Sequence, residues 1–254
     1  MAQELTIVLT GATGKLGRQL AVGFAAQGHR LIFPTRNVKS AVELESLCIH
    51  AGAKEVVFIS VDLMSEMAVD DIQKELLKRS LFPNILVNNA RNIEYLTTEN
   101  GLISRKNWQG EFLLDVIAPY ELTMGLVTLE GSKLKKVINV ASIYGMMVPN
   151  LILYEDPNKQ SPINYGVSKS ALIHLTKELA VRLASKGIEV NSVSLGGVSG
   201  RVNEEFQQRY GRLCPSGRML SDNEIFGPIG FLASEDSNGM TGHNLVVDGG
   251  WTIW

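Results

Sequence analysis

Short apolar runs rich in β-branched residues alternate with longer amphipathic stretches along the whole chain, and this alternation leaves few folds open. Leu5 to Leu9, Leu31 to Phe33, Val56 to Ser60, Ile85 to Asn88, Val137 to Val140, Glu189 to Leu195 and Asn244 to Val247 read as strands. Between them, apolar residues recur every three or four positions near 15–27, 38–51, 66–80, 104–131, 165–186 and 221–234, the period of helices that bury one face. In the stretch at 165–186 the expected buried stripe is Val167, Ala171, Leu172, Leu175, Leu179 and Leu183. Strands separated by helices need right-handed crossovers and a parallel sheet covered on both faces. The expectation is therefore an α/β fold: one doubly wound domain over residues 1–254, with seven parallel strands flanked by helices.

One stretch interrupts the rhythm. From Gly145 to Asn164 neither period holds, and Pro149, Pro157 and Pro162 stand among Asn, Asp, Lys and Gln. Irregular segments of this length in compact domains tend to be functional, so a substrate-side insertion is expected at about 146–164. With 24 Lys+Arg against 26 Asp+Glu, the formal net charge is -2 and no basic run occurs. Nucleic acid and membrane surfaces are thereby excluded as expected partners. The opening Met-Ala-Gln-Glu has no cationic region, and no stretch approaches the roughly 20 apolar residues of a membrane span, so a cytoplasmic protein is expected. Cys48 and Cys214 are too few for a disulfide scaffold and are expected as thiols. His29, His50, His174 and His243 have no ligand spacing, and no metal site is expected.

Immediately after the first strand, Thr10-Gly11-Ala12-Thr13-Gly14-Lys15-Leu16-Gly17 opens an amphipathic helix. Glycines there permit a tight turn and close approach of backbone to a pyrophosphate, whose charge the helix N-terminus attracts. A strand before and a helix after make this a dinucleotide-binding turn of the Rossmann type. A phosphate-loop NTPase is excluded by spacing, because two residues rather than four separate Gly11 from Gly14, and Leu16 rather than Ser or Thr follows Lys15. The second strand ends Phe33-Pro34-Thr35-Arg36, without the acid that binds the ribose hydroxyls of NAD. Arg36, aided by Lys15, can instead bind a 2'-phosphate, which favours NADP(H) and leaves NAD(H) as the alternative. Asp62, followed by Leu63 after the third strand, can accept from an adenine amino group or cap the next helix.

Tyr165 and Lys169 lie four residues apart, on one face of a helix. A neighbouring cation favours the phenolate and fits a tyrosine for acid/base work near neutral pH. Ser142 ends the strand Val137-Ile138-Asn139-Val140 at the same sheet edge, able to hydrogen-bond a substrate oxygen. Together with Asn88-Asn89-Ala90, Val190-Asn191 leading to Gly196, and Val247-Asp248-Gly249-Gly250, these motifs resemble the short-chain dehydrogenase/reductase family along essentially the whole chain.

The resemblance implies that Tyr165 exchanges the substrate hydroxyl proton, Ser142 orients the substrate, and Lys169 holds the nicotinamide ribose and favours the phenolate. It also implies that Asn89, Ala90, Arg91, Gly196 and Val198 line the cofactor cleft, and that the chain assembles as a homodimer or homotetramer. Four residues depart from the family pattern. Lys15 and Arg91 stand where it has glycine, and Leu195 replaces a proline, which is expected to loosen the turn before Gly196. Asp115 stands where the family has an asparagine of the proton relay, and either relays protons itself or weakens catalysis. The segment before Tyr165 and the terminal Trp251-Thr252-Ile253-Trp254 are similar to a bacterial subgroup with flagellin-modification protein A, associated with nonulosonic acids. The expected reaction is secondary alcohol to ketone, or the reverse, on a sugar or nucleotide-sugar whose phosphate or carboxylate meets Arg91 or Arg201. The alternatives are a 3-ketoacyl or general ketone reductase and a catalytically weakened dinucleotide-binding sensor or structural partner. Trp251 to Trp254 are expected at a subunit contact.

Overall fold

The computed structural model describes residues 4–38 and 41–254. Among the described residues seven strands form one parallel sheet: β1 (Thr6–Leu9), β2 (Arg30–Thr35), β3 (Glu55–Ser60), β4 (Ile85–Asn88), β5 (Lys136–Ser142), β6 (Glu189–Leu195) and β7 (Asn244–Val247), in the order β3-β2-β1-β4-β5-β6-β7. Every neighbouring pair is parallel. β2 tolerates Pro34 because its pairing with β1 ends at Ile32, so no neighbour on that side needs the missing amide proton.

The helices are α1 (Lys15–Ala26), α2 (Val42–Ala51), α3 (Ala68–Lys78), α4 (Arg105–Phe112), α5 (Ala118–Thr128), α6 (Pro157–Gln160), α7 (Ile163–Leu183), α8 (Glu204–Leu213) and α9 (Phe226–Ala233). They cover both faces of the sheet. Successive side chains of a strand point to opposite faces, so Ile7 and Leu9 pack with Leu20, Phe24 and Ile229 on one side, while Val8 packs with Ile72, Leu122 and Leu179 on the other. Each such buried side chain stabilises the fold by about 1.5–3 kcal/mol relative to exposure.

Several sequence expectations need correction. The helix expected at 104–131 is α4 and α5 joined by a π-turn at Leu113–Ile117, which admits one extra residue per turn. On α7 the stripe is wrong in part: Val167 is exposed, and the inward face carries Asn164, Ser168, Lys169 and Thr176. Each of these has a polar partner inside: Asn164 donates to the Tyr95 carbonyl, Ser168 to Asp115, Lys169 to Asp115 and the Val140 carbonyl, and Thr176 accepts from Asn139 in mid-β5. The helix expected at 38–51 begins as α2 at Val42, and Lys39 and Ser40 lie outside the described residues. The segment at 146–164 contains a 3-10 turn at Leu151–Leu153 and the short α6, with Leu153 fully buried. α8 has no counterpart among the expected helices; Asn203 caps it, accepting from the Phe206 amide at 2.9 Å, and Tyr210 is its buried anchor.

Trp251 is not a surface residue. It is buried and stacked on Tyr210 with ring centroids 4.2 Å apart, in a third apolar cluster with Ile143, Leu153 and Met219. Of the terminal apolar residues, Ile253 and Trp254 remain exposed.

Candidate active site

β1, β4, β5 and β6 end at one edge of the sheet, and strand order reverses between β1 and β4, where ligands of such sheets bind. At that switch point the glycine turn is pinned to the segment after β4. Thr10 Oγ1 accepts from the amides of Asn89 at 2.9 Å and Ala90 at 3.0 Å, and Asn89 Nδ2 donates to the carbonyls of Thr10 and Gly11. Gly11 has φ +65, and a Cβ there would lie 2.7 Å from Ala90 Cα. At Gly17 a Cβ would lie 2.0 Å from the Gly11 carbonyl oxygen, so only glycine lets α1 start this close to the turn.

Among the described residues no side chain caps the N-terminus of α1; its N-cap Gly14 and the preceding Thr13 are exposed, and Leu16 is half-buried. Bare backbone, a helix N-terminus free of side-chain caps and an absent Cβ together fit a pyrophosphate. Lys15 turns elsewhere: its ammonium bonds the Ser199 carbonyl and pairs with Asp222 at 3.1 Å, across the cleft. Arg36 is exposed just beyond β2 and makes no hydrogen bond or ion pair with any described residue. Asp62 is exposed beyond β3, its Oδ1 accepting from the Met64 amide at 3.0 Å, so it braces a turn and does not cap α3, which begins at Ala68; Leu63 is half-buried beside it.

The Tyr165–Lys169 pair sits on the first two turns of α7. Lys169 is buried; Nζ donates to Asp115 Oδ1 at 3.0 Å and to the Val140 carbonyl at 3.1 Å, and stands 5.9 Å from the centre of the Tyr165 ring. Asp115 Oδ2 accepts from Ser168 Oγ at 2.8 Å. The π-turn is what carries Asp115 inward to this meeting point. Arg91 lays its guanidinium over the tyrosine ring, 4.6 Å from the ring centre. Ser142, at the end of β5, accepts from the Tyr144 amide at 3.2 Å. Ser142, Tyr165, Arg91, Arg201, Gly196 and Val198 all line one cavity of about 1580 Å³. A second, small space of about 10 Å³, the size of one water, touches Asp115, Lys169 and Asn88.

The turn after β6 is firmly held although Leu195 precedes it. Leu195 stays in register with Val247, Gly196 N bonds the Val247 carbonyl at 2.9 Å, and Gly197 N bonds Tyr210 Oη at 3.0 Å. Residues of the 146–164 segment line part of the same cavity, and the Tyr154 hydroxyl lies 2.8 Å from that of Tyr144. Burial pushes both phenols above their ordinary range.

Sequence reasoning missed Thr10, Ser168 and Glu111. Glu111 is buried beside Asp115, and burial, with the Asp115 charge next, pushes its carboxyl up to about 7. The signal was present as two acids four residues apart on an inward helical face. Among the described residues no group of three or more His, Cys, Asp or Glu is placed to hold a metal ion, and no helix is long and apolar enough to cross a membrane.

Residues 11–252 match the family model described as enoyl-(acyl carrier protein) reductase. The chain belongs to the short-chain dehydrogenase/reductase family, whose members are NAD(P)-dependent oxidoreductases. It is 33% identical over 259 residues to an uncharacterized short-chain type dehydrogenase/reductase of Sinorhizobium fredii, covering 96% of this chain but only 43% of that longer protein. It is 37% identical over 117 residues to the post-translational flagellin modification protein A of Campylobacter coli, 46% of each chain. A 2-dehydro-3-deoxy-D-gluconate 5-dehydrogenase of Bacillus subtilis is 30% identical, over 97% of this chain and 94% of that one. Among solved structures, a short-chain dehydrogenase of Leptospira borgpetersenii with bound NAD+ superposes with a TM-score of 0.86, at 27% identity, covering 99% of this chain and 94% of that one.

Proposed function

We propose that this dehydrogenase/reductase interconverts a secondary alcohol and a ketone on a sugar derivative that carries a carboxylate or phosphate, using NADP(H) in preference to NAD(H). The observation that carries the substrate class is the pair of guanidiniums beside the tyrosine. Arg91 covers the Tyr165 ring and Arg201 lines the same cavity. Burial, with Arg91 next, pushes the Arg201 guanidinium below its ordinary range. Two like charges held at one site are relieved when an anion binds between them. The flagellin-modifying and gluconate-type relatives support a polar, acidic sugar.

In this reading Tyr165 donates the proton to the substrate oxygen in reduction and takes it back in oxidation, while Ser142 hydrogen-bonds the same oxygen. Lys169, fixed by Asp115 and the Val140 carbonyl, holds its charge beside the tyrosine. Gly11, Thr13, Gly14, Leu16 and Gly17 would hold the dinucleotide's phosphates, Arg36 its 2'-phosphate, Asp62 and Leu63 its adenine side, and Asn89, Ala90, Arg91, Gly196 and Val198 its nicotinamide end. The bound nicotinamide supplies or accepts the hydride. Exposed apolar residues on α5 and α7, among them Tyr120, Val167 and Val181, support a homodimer or homotetramer.

A second reading, reduction of a 3-ketoacyl thioester, is favoured by the apolar rim of the cavity at Ile93, Val148 and Leu151. A panel of acidic sugars, nucleotide-sugars and 3-ketoacyl thioesters, followed by NADPH and NADH absorbance, separates the two. Turnover confined to the acyl thioesters would sink the sugar reading, and binding of dinucleotide without turnover of any ketone would sink both.

A further inference from the structure

The interior beside Lys169 holds one carboxyl more than that ammonium can neutralise. Glu111 precedes Asp115 by four residues, and both are enclosed, at 1% and 3% exposure. Asp115 commits one oxygen to Lys169 and the other to Ser168. Among the described residues Glu111 has no comparable donors: its Oε1 is buried with no hydrogen-bond partner. The charged groups facing it are Asp115 from the π-turn, Lys169 from α7 and Arg91 from the segment after β4. Two buried carboxylates against one buried ammonium leave an uncompensated charge, and two adjacent acids resolve this by keeping one proton between them.

We propose that Glu111 is a positioning residue for the Tyr165–Lys169 pair: it carries the one proton of a buried Glu111–Asp115 carboxyl pair, so that Asp115 meets Lys169 with a single negative charge. A protonated carboxyl is also a donor, which an ionised Asp115 is not, and its hydrogen bond to Asp115 fixes the carboxylate that fixes Lys169. When Glu111 ionises, its proton leaves to solvent and a second negative charge remains beside Lys169. That charge disfavours the phenolate of Tyr165. In alcohol oxidation, where Tyr165 must accept a proton, the alkaline rise of turnover then lies at higher pH than with a neutral side chain at 111.

The inference rests on the proposed role of Tyr165 only for this kinetic consequence, so the first test needs no substrate. Infrared titration of the intact protein should show a protonated-carboxyl C=O band at pH 6 that fades as pH rises through about 7. The band should be absent from Glu111→Gln. In Asp115→Asn, which removes the neighbouring charge, it should persist but fade at lower pH. A band that survives in Glu111→Gln, or vanishes outright in Asp115→Asn, would place the proton on Asp115 and overturn the proposal. No band at any pH would overturn it too. Should Glu111→Gln fail to fold by circular dichroism, the Asp115→Asn titration decides alone. In the kinetic arm, Glu111→Gln should move the alkaline rise of kcat for alcohol oxidation down by about one pH unit, and an unmoved profile would overturn the positioning role. Absence of turnover in the unaltered protein would count against the reading of Tyr165, while the infrared titration would still decide where the proton sits.

Discussion

Replacing Tyr165 with Phe removes one oxygen and keeps the ring that Arg91 covers, so the cavity wall survives while the proposed proton donor does not. Turnover should fall by about 10²–10⁴-fold, the usual worth of a general acid/base. The dinucleotide dissociation constant, followed by fluorescence titration, should stay within a few-fold; unchanged turnover would remove Tyr165 from the mechanism. At Arg36 the contest is between two cofactors. The guanidinium is exposed and has no described partner, and Lys15, which the sequence suggested as its helper, is engaged with Ser199 and Asp222. In the proposed reading Arg36 meets the 2'-phosphate without Lys15, and Arg36→Ala should weaken NADPH by about 10- to 100-fold relative to NADH, the range of one charge-assisted hydrogen bond. Equal loss for both cofactors, measured by calorimetry, would argue that no 2'-phosphate is read there.

At the scale of the element, the start of α1 and the π-turn are the two places where backbone geometry makes the site. Gly17→Ala would drive a methyl group to 2.0 Å from the Gly11 carbonyl oxygen, which only a shift of α1 away from β1 can relieve. The expected cost is about 1–3 kcal/mol in urea unfolding, with dinucleotide affinity falling alongside. The π-turn has a pH signature. The Glu111 carboxyl, ordinarily near 4.5, is held up to about 7 in the fold, so between these values the folded chain keeps a proton that the unfolded chain has released. Stability should therefore fall as pH rises from about 4.5 to about 7, by about 3 kcal/mol, and Glu111→Gln should flatten that part of the profile in denaturant melts. What the sequence revealed follows the same division. Tyr165, Lys169, Ser142 and the glycine turn were legible because each motif lies within one element or its exit. Glu111 and Ser168 were not, because their importance arises from a π-turn that no 3.6-residue period displays. The stripe on α7 failed at Val167 for a related reason: periodicity sorts apolar from polar, whereas the site side of this helix is buried and polar at Asn164, Ser168 and Thr176.

At the scale of the molecule, the outer faces of α5 and α7 leave apolar side chains uncovered, Val181 at 77% exposure among them. Light scattering after gel filtration should give a mass of two or four times the 27.8 kDa chain. Val181→Glu should shift that mass toward a single chain, and a monomer in the unaltered protein would leave these faces without a partner of the same kind. The ion pair of Lys15 with Asp222 acts at this scale too, since it ties the lip of the phosphate turn to the lip that follows β6. Both side chains are partly exposed, and such a pair is worth at most about 1 kcal/mol, too little to hold the cleft shut and enough to slow how often it opens. Its consequence belongs to time rather than affinity: dinucleotide should enter and leave faster as salt screens the pair or when Asp222 becomes Asn, with the two rates rising together and their ratio barely changed.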